Sequence, residues 1–378
     1  MSDGRVLHVI KATGLAGAER HLLLLLSGLR DAGLDAELLV LTEPDNPVEA
    51  LFAHAAARGI PTHRLTIHAD FDPRLLPRLR RFFHDGGYTL VHTHLIHADL
   101  YGTIAARRAG VPYLVSTRHA DNPFRRRLPL RLAHRWLWRR VGRGIAISEW
   151  VRRFCIEVEG APAQKITTVY YGLDPDQVRA GGGAREVLAA ELGVAPAAPL
   201  AGSVCRLVEV KGIGHALRAF WQIAEAFPNA HYVIAGDGPL RGALEATARG
   251  FGLEGRVHFL GWRDDPHGVI AALDVLLAPS LQEGFGLVLL EAMALRVPII
   301  ASRVSAIPEI VVDGETGLLT DPGDAGGIAG ALSTLFDDRA LARAMGAKGR
   351  ARLEAHFTAA RMVEGTRAVY EALGARRA

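Results

Sequence analysis

Short apolar runs alternate with longer amphipathic segments from one end of the chain to the other. Segments such as AGAERHLLLLLSGLRDAG have helical length, and shorter aliphatic runs lie between them. Ten runs have the character of buried parallel strands: RVLHVI, DAELLVL, TLVHTH, PYLVST, GIAIS, PLAGSV, HYVIAG, RVHFLG, DVLLAP and PIIAS. This alternation predicts an α/β protein whose parallel sheets carry helices on both faces.

The length of the chain favours two domains. Its 378 residues exceed what a single hydrophobic core normally supports. Residues 173–198 are rich in Gly, Pro and Ala and have no strand pattern, so they separate the two groups of strands. We therefore expect one doubly wound, Rossmann-like domain in residues 1–175 and a second in residues 176–357. Ligands would bind in a cleft between the carboxyl ends of their strands.

The composition is that of a soluble globular protein, with 49% hydrophobic and 22% charged residues. No stretch approaches the ~18 uninterrupted apolar residues of a membrane span. The N-terminus, MSDGRVLHVI, does not have the pattern of a signal peptide. Cys155 and Cys205 lack metal-site spacing and are interpreted as free thiols. We expect a cytoplasmic protein, with peripheral attachment to the inner face of the membrane as a further hypothesis.

The stretch EGFGLVLLE, residues 283–291, places a carboxylate at each end of a run of glycine and aliphatic residues. It connects the strand DVLLAPS to the helical segment LVLLEAMAL, so Gly284 and Gly286 lie in a loop at a strand end. The amides of residues 286–288 would then be first-turn donors for a phosphate. Glu283 and Glu291 would accept hydrogen bonds from hydroxyls on either side of it. The alternative interpretation is a loop glutamate and a solvated helix glutamate.

Two cations accompany this loop. Arg206 and Lys211, in SVCRLVEVKG, follow the first strand of the second domain. A guanidinium and an ammonium can neutralise a diphosphate without a metal ion. Taken alone, both side chains would be interpreted as solvated surface cations, but beside EGFGLVLLE we favour binding.

Five segments of the second half carry a family resemblance: SVCRLVEVKG, AGDGPLRGALE, VHFLGW, APSLQEGFGLVLLEAMALRVPIIAS and IPEIVVDGETGLL. In this order they resemble family-4 glycosyltransferases of the GT-B fold. HVIKATGLAGAERHLLLLLSGL is similar to the first loop and helix of that family. HFTAARMVEGTRAVYEAL resembles its terminal helix, so residues 358–378 are expected to cross back to the first domain.

The resemblance implies a retaining, metal-independent transfer of a sugar from a nucleotide-diphosphate donor to a glycan or lipid-linked acceptor, as in polysaccharide or lipopolysaccharide synthesis. Glu283 would contact donor-sugar hydroxyls and Glu291 the ribose. Residues around Trp262 and Arg263 would face the base, mainly through their backbone. No cofactor is expected. The donor-binding residues that it implies are Gly14, Gly17, Arg206, Lys211, Gly236, Trp262, Arg263, Glu283, Gly284, Phe285, Gly286, Leu287, Val288 and Glu291.

Three positions depart from the family pattern. Ala16 stands where the family often has the first of two glycines, and Cys205 stands where a glycine often precedes the phosphate-binding arginine. Tyr171, in YYGLD, replaces the asparagine that often precedes the hinge. The first two departures place a side chain near the donor phosphates.

The segment VSTRHADNPF follows the strand PYLVS, so Arg118 and His119 lie at a strand end. His119 matches a family histidine near the sugar, and we expect it to act in catalysis with Glu283, Arg206 and Lys211. The alternative interpretation is that His119 lines the cleft wall and makes its hydrogen bonds within the protein. Arg118 and His94 are acceptor-side candidates. His92 and His94 would share one strand face, but without a suitable carboxylate nearby we do not predict a metal site.

The segment Arg125–Arg143 contains eight arginines and no acidic residue. Arg127, Arg131, Arg135 and Arg139 recur every four residues, and Trp136 and Trp138 flank an apolar stripe. A basic amphipathic helix with tryptophans suits an anionic membrane surface. The alternative is a core helix with a solvated arginine face. No nucleic-acid-binding motif accompanies the charge, and nucleic acid is not expected as a partner.

Two other functions remain open at this stage. A GT-B-type sugar-nucleotide epimerase would bind a similar donor but would need acid–base carboxylates and no acceptor. A catalytically silent donor-binding protein would not need Arg206, Lys211, Glu283 and Glu291 together. Retention of all four residues argues against the silent protein.

Overall fold

The computed structural model of the chain describes residues 4–69 and 72–374. The chain divides into two compact units. Unit 1 comprises Met1–Gly172 and Ala359–Ala378, and unit 2 comprises Leu173–Thr358. Each unit contains a parallel sheet with helices, which confirms the predicted α/β class.

Unit 1 is built on a seven-stranded parallel sheet. Its strands are β1 (Arg5–Lys11), β2 (Asp35–Thr42), β3 (Thr62–Thr66), β4 (Leu90–His94), β5 (Tyr113–Arg118), β6 (Arg143–Ala146) and β7 (Ile166–Thr168). They lie in the order β3-β2-β1-β4-β5-β6-β7. The chain order reverses between β1 and β4, and open α/β sheets bind ligands beyond the carboxyl ends of strands at such a point.

The helices of unit 1 that precede unit 2 are α1 (Gly17–Asp31), α2 (Glu49–Ala56), α3 (Leu75–Asp85), α4 (Leu95–His97), α5 (Thr103–Ala109), α6 (Leu128–Trp138) and α7 (Glu149–Glu157). α1 begins where Glu19 accepts a hydrogen bond from the backbone N–H of Ala16 (3.1 Å), which satisfies one free donor of the first turn.

Unit 2 is built on a six-stranded parallel sheet. Its strands are β8 (Leu200–Val204), β9 (His231–Ala235), β10 (Val257–Gly261), β11 (Val275–Ala278), β12 (Ile299–Ser302) and β13 (Gly317–Thr320). The order is β10-β9-β8-β11-β12-β13, so the chain order reverses between β8 and β11. The loops that follow these two strands, residues 205–212 and 279–286, are therefore neighbours at the edge where a ligand is expected.

The remaining helices are α8 (Ala184–Leu192), α9 (Ile213–Ile223), α10 (Arg241–Gly250), α11 (Pro266–Ala271), α12 (Leu287–Ala294), α13 (Ile307–Ile310), α14 (Ala325–Asp337), α15 (Arg339–His356) and α16 (Ala359–Glu371). The last of them, α16, belongs to unit 1, where it packs against α1.

Both faces of the unit 1 sheet are covered, which explains why apolar residues of β1 point to both sides. Val6 and Ile10 belong to the cluster that includes α1 and α16 residues, and Leu7 and Val9 belong to the cluster on the α3 and α5 side. Because side chains alternate along a strand, His8 lies on the α1 and α16 face with Val6 and Ile10. His92 of β4 is its register partner.

Three strands of the structure, β3, β7 and β13, are absent from the ten predicted by sequence. Each forms an edge of its sheet, and their sequences THRLT, ITT and GLLT are short or mixed in polarity. Among the described residues, none of the helices combines the length and hydropathy needed to cross a bilayer.

Candidate active site

The loop between β11 and α12 lies at the carboxyl edge of the unit 2 sheet, where the sequence places EGFGLVLLE. Gly286 is the residue before the helix and has φ +97°, a region in which residues with a side chain are strained. A Cβ atom there would also approach the Leu289 side chain to 3.0 Å. Glycine at position 286 therefore lets the helix N-terminus, with Leu287 and Val288 in its first turn, form without backbone strain.

Lys211 and Glu283 form an ion pair between the two neighbouring loops. The Lys211 ammonium donates to a carboxylate oxygen of Glu283, and both side chains are mostly buried. Ser280 also donates to this carboxylate, at 3.5 Å, and the Glu283 backbone N–H donates to Ser305 Oγ at 3.4 Å. The cation predicted to hold phosphate and the carboxylate predicted to hold a sugar are thus partners of one another.

Glycine permits the close contact between these loops. A Cβ atom on Gly212 would lie 2.0 Å from the backbone oxygen of Pro279. Gly212 has φ +64° and directly precedes α9, so it lets the Lys211 turn close onto the loop after β11. The resulting pocket is lined by residues of both loops, among them Cys205, Lys211 and Glu283, and by Val288 of α12.

Cys205 is the departure from the family pattern that lies in this pocket. Burial raises the pKa of its thiol to about 11, so it is a neutral side chain at pH 7. Gly236 packs against its backbone, since a Cβ atom on Gly236 would lie 1.9 Å from the Cys205 carbonyl oxygen. Gly236 therefore serves loop packing, and nothing in its contacts indicates a separate phosphate loop.

Arg206 follows Cys205 and is exposed. Within the part of the chain that the structure describes, its guanidinium has no ion-pair partner. Arg206 therefore differs from Lys211, whose positive charge is neutralised by the Glu283 carboxylate.

Glu291 lies in the second turn of α12 and is largely buried, with its carboxylate 3.8 Å from Nε2 of His267 on α11. Trp262 and Arg263 lie in the loop that leads into α11. Trp262 is 65% exposed, whereas the Arg263 guanidinium is paired with Glu191 and Asp265 at 2.8 Å each. A side-chain role for Arg263 would require it to give up these pairs, so its predicted contact through the backbone fits its surroundings better.

In unit 1, the predicted loop residues Gly14 and Gly17 lie where expected, between β1 and α1, with Gly17 as the first residue of the helix. His94 is the last residue of β4, beside the reversal point of the sheet, and His119 follows β5. Their rings meet, with 3.0 Å between His94 Nδ1 and His119 Nε2.

The other ring nitrogens of these two histidines are also occupied. His119 Nδ1 contacts the hydroxyl of Tyr171, and His94 Nε2 lies 3.0 Å from His8 Nδ1. Burial lowers the pKa of His119 to about 3, helped by the positive charges of Arg125 and Arg118. His119 is therefore a neutral residue whose hydrogen bonds are directed inward, and a bond to a substrate would require one of them to be released.

Arg118 differs from its prediction as an acceptor-side residue. It is only 1% exposed, and its guanidinium pairs with the carboxylates of Asp99 and Glu159. Glu159 in turn accepts from Arg125 (2.7 Å) and from Trp138 Nε1 (3.0 Å), and the positive charges lower its pKa to about 2. Because every group of this network is buried, Arg118 is a structural residue of the core and offers no donor to an acceptor.

The arginine-rich segment is also arranged differently from the prediction. Arg125 and Trp138 are buried against Glu159 and cannot contact a membrane. The exposed apolar side chains are Phe124, Leu128, Leu132 and Trp136, with 41%, 64%, 58% and 37% of their surfaces accessible. Leu128, Leu132 and Trp136 recur every four residues and form one stripe along α6, and Phe124 lies in the turn that precedes the helix. The predicted exposure of the arginine stripe, Arg127, Arg131, Arg135 and Arg139, is confirmed.

Comparison with known proteins gives matches along most of the chain. The Glycosyl transferase 4-like domain family matches residues 16–172, and the Glycosyl transferases group 1 family matches residues 185–352. Alpha-maltose-1-phosphate synthase of Mycobacterium tuberculosis is 31% identical over 317 residues, which cover 75% of this chain and 78% of that protein. Phosphatidyl-myo-inositol mannosyltransferase of Mycobacterium leprae is 30% identical over 336 residues, covering 86% and 85%.

A third relative is the UDP-Gal:alpha-D-GlcNAc-diphosphoundecaprenol alpha-1,3-galactosyltransferase of Escherichia coli, 28% identical over 305 residues that cover 79% of this chain and 77% of that protein. Among solved structures, Anabaena HepE in complex with UDP and glucose superposes with a TM-score of 0.86 at 23% identity, covering 98% of this chain and all of that one. A glycosyltransferase from Rickettsia africae has a TM-score of 0.87 at 15% identity, with both chains fully covered. The chain therefore belongs to the Glycosyl transferases group 1 family of glycosyltransferases, and its two parallel-sheet units form the GT-B fold.

Proposed function

We propose that this chain transfers a hexose from a nucleotide-diphosphate sugar to an acceptor, with retention of the configuration at the anomeric carbon. The observation that carries the proposal is the contact of Lys211 and Glu283 beside the N-terminus of α12. A cation, the free amides of a first helical turn and a carboxylate meet there at the carboxyl edge of a parallel sheet. A phosphate and a hydroxylated sugar, joined to one another, need these three kinds of group.

The donor would be held in the following way. Arg206 and Lys211 neutralise the diphosphate together with the amides of residues 286–288. Glu283 exchanges the Lys211 ammonium for hydroxyls of the donor sugar, and Glu291 accepts from the ribose hydroxyls. This arrangement supplies two positive charges, and we propose that transfer needs no divalent cation.

Transfer would take place on one face of the donor sugar. The bond from the anomeric carbon to the diphosphate breaks as the bond to the acceptor oxygen forms on the same side, and the departing phosphate oxygen takes the acceptor proton. The protein would contribute position and charge stabilisation rather than a nucleophile. The acceptor-side residue that we retain is His119, with His94 behind it, while Arg118 is removed from this role.

We further propose a lipid-linked acceptor that is reached from an anionic membrane surface. Two observations support it. The names of two relatives, the M. leprae and E. coli enzymes, specify a phosphatidylinositol and a diphosphoundecaprenol acceptor. In addition, α6 presents the exposed stripe of Leu128, Leu132 and Trp136 beside exposed arginines, which suits shallow insertion among anionic headgroups.

A panel of sugar nucleotides tests the proposed reaction. The protein is incubated with UDP-, GDP- and ADP-linked hexoses in the presence of a bacterial lipid extract, and the nucleotide products are separated by chromatography. Release of a nucleoside diphosphate that depends on the extract supports transfer to a lipid acceptor. An altered sugar nucleotide without release would show epimerisation, and unchanged donors throughout would contradict the proposal.

A further inference from the structure

Four buried histidines and three hydroxyl groups of unit 1 form one continuous chain of hydrogen bonds, which we call the histidine chain. Its members, in the order of their contacts, are Thr117, His92, Tyr370, His8, His94, His119 and Tyr171. They come from β1, β4, β5, α16 and the segments after β5 and β7. No member exposes more than 8% of its surface.

The inner half of the chain lies between the sheet and α16. His92 Nε2 lies 2.6 Å from Thr117 Oγ1, and His92 Nδ1 lies 2.7 Å from Tyr370 Oη. The same Tyr370 oxygen lies 3.1 Å from His8 Nε2. Tyr370 is thus a bridge between the central strands β1 and β4, supplied by the last helix of the chain.

The outer half leads to the carboxyl edge of the sheet. His8 Nδ1 contacts His94 Nε2 at 3.0 Å, and His94 Nδ1 contacts His119 Nε2 at 3.0 Å. His119 Nδ1 contacts the Tyr171 hydroxyl, and the ring of His21 stacks on Tyr171 with 3.9 Å between the centroids. The chain therefore ends at the residues that follow β5 and β7, on the side of the sheet where a ligand is expected.

The number of protons makes the chain directional. A neutral histidine has one N–H donor and one bare nitrogen acceptor, so each ring donates in one of its two bonds and accepts in the other. Tyr370 could accept from both of its histidine neighbours, but its buried hydroxyl proton would then lack an acceptor among the contacts of the described residues, so Tyr370 also donates in one bond and accepts in the other. The direction chosen at any one bond therefore fixes all six. Four N–H and three O–H protons serve these six bonds, so one hydroxyl proton at either the Thr117 or the Tyr171 end is directed out of the chain.

Burial keeps every ring neutral at pH 7. It lowers the pKa of His8 and His119 to about 3, and the pKa values of His92 and His94 well below their usual range. A neutral chain has two states of opposite direction and equal charge. They interconvert when protons shift along the six bonds while one end of the chain releases a proton to water and the other end takes one up.

We propose that the histidine chain is a proton wire that sets the tautomer of His119 and the donor direction of Tyr171. Along the chain, each donor N–H or O–H bond breaks as the bond to its acceptor forms, so all four histidines exchange tautomers. As Tyr171 passes its outward proton to water or to a bound ligand, Thr117 takes a proton from water, so both hydroxyls stay neutral and one proton crosses the chain. In one state Tyr171 donates to His119. In the other, His119 Nδ1–H donates to Tyr171, whose own proton is then directed outward.

On this account His92, His8, His94 and Tyr370 are positioning residues. They do not contact a substrate. Their tautomers and hydrogen-bond directions determine whether Tyr171 directs its proton to His119 or outward. Only the assignment of that end to the acceptor side rests on the proposed function. The wire itself can be tested without any donor or acceptor.

The test is the tautomer of His119, read from the ¹⁵N and ¹³C signals of histidine-labelled protein. Tyr370→Phe removes the bridging hydroxyl and keeps the ring, and Tyr232→Phe is the matched control. Tyr232 is equally buried in unit 2, where its hydroxyl bonds Ser203 outside the chain. We expect Tyr370→Phe to change the His119 tautomer ratio at least twofold and the control to leave it unchanged.

Thr117→Val provides a second variant in case Tyr370→Phe destabilises the fold. It removes the inner end of the chain, and the same change at His119 is expected. If the His119 signals are those of wild type in every folded variant, the wire is refuted even where sugar transfer is observed. Where transfer can be assayed, Thr117→Val should lower kcat and leave the donor KM unchanged.

Discussion

Glu283 has two partners that cannot be satisfied at the same time. In the structure it neutralises Lys211. In the proposed complex it accepts hydrogen bonds from sugar hydroxyls while Lys211 turns to phosphate. Both side chains are mostly shielded from water, so neither charge can be left unpaired without cost. The ion pair therefore holds the site together until a ligand that carries both phosphate and hydroxyl groups replaces it.

Glu283→Gln should separate binding of the nucleotide from transfer of the sugar. The substitution releases Lys211 and removes a negative charge beside the phosphate position. A nucleoside diphosphate should then bind more tightly by roughly 1 kcal/mol, about fivefold, whereas transfer should be lost. Isothermal titration calorimetry measures the affinity for the nucleoside diphosphate. Lys211→Met removes the cation and is expected to weaken this binding. Weaker binding in both variants would exclude competition between the carboxylate and the phosphate.

Glu291→Ala should weaken binding of the same nucleotide by roughly 1.5 to 3 kcal/mol, the range for hydrogen bonds to a charged group. The reason is the place of Glu291 on α12, one turn behind the residues whose amides would hold phosphate. Glu254→Ala, at an exposed glutamate elsewhere in unit 2, is the control. An affinity equal to wild type would remove the ribose assignment.

The position of a single functional residue can be predicted from sequence where it belongs to a local motif. The positions of Gly286, Glu283 and Glu291 on a strand, loop and helix follow from nine consecutive residues. The partners of Arg118 and His94 could not be predicted, because Glu159 and His8 reach them only through the register of neighbouring strands and the return of distant segments. Pairing of this kind depends on tertiary structure that no single stretch of sequence specifies.

Helix α6 illustrates the same limit for an element. Its arginine periodicity predicts a helix with one basic stripe, and the structure has that helix at Leu128–Trp138. Which apolar side chains face outward depends on what the helix packs against. Trp138 turns inward to Glu159, and Leu128, Leu132 and Trp136 remain at the surface. The three strands that the sequence missed are edge strands, which lack the continuous apolar pattern of buried ones.

The exposed face of α6 predicts salt-sensitive binding to anionic vesicles. Near an anionic surface each basic residue contributes about 1 kcal/mol, and salt screens this attraction. We expect wild type to sediment with phosphatidylglycerol vesicles at low salt and much less at high salt. Changing Arg131, Arg135 and Arg139 together to Gln should reduce binding at least tenfold, and changing Leu128, Leu132 and Trp136 to Ser should do so even at low salt.

The controls keep charge and hydropathy matched. Arg218, Arg249 and Arg343, exposed in unit 2, are changed together to Gln, which removes the same three charges. Val187 and Trp221, exposed elsewhere, are changed to Ser. Equal loss of binding in the controls would show a general charge effect, and wild type in the supernatant at low salt would exclude the membrane role.

For the molecule as a whole, buried histidines should make unit 1 sensitive to mild acid. The folded pKa values of His8 and His119 are about 3, whereas an exposed histidine titrates near 6.5, so the unfolded chain binds more protons between these values. Stability is therefore complete above pH 6.5 and falls as the pH falls. These two residues alone should lower the free energy of unfolding by about 3 kcal/mol between pH 7.5 and 5.5. His21, His92 and His94, whose pKa values are also lowered, add to the loss in the same direction.

Hydrogen exchange at increasing urea concentration measures this loss separately in the two units. Peptides from β1 and β4 report on unit 1, and peptides from β11 and α12 serve as the reference. The histidines of unit 2 with lowered pKa values, His231 and His258, have partly exposed rings that contribute less. The range from pH 7.5 to 5.5 lies above the titration of ordinary carboxyl groups. An equal change in both units would show that the histidine chain is not the cause.

Release of nucleoside diphosphate in excess EDTA tests the central claim most directly. With the sugar nucleotide that the panel selects, and with its acceptor, wild type is compared with Lys211→Met and Glu283→Gln in the same buffer. The account predicts that wild type keeps its rate in EDTA and that each variant loses at least a hundredfold in kcat/KM. A rate that EDTA abolishes and Mg²⁺ or Mn²⁺ restores, or a variant as active as wild type, would contradict it.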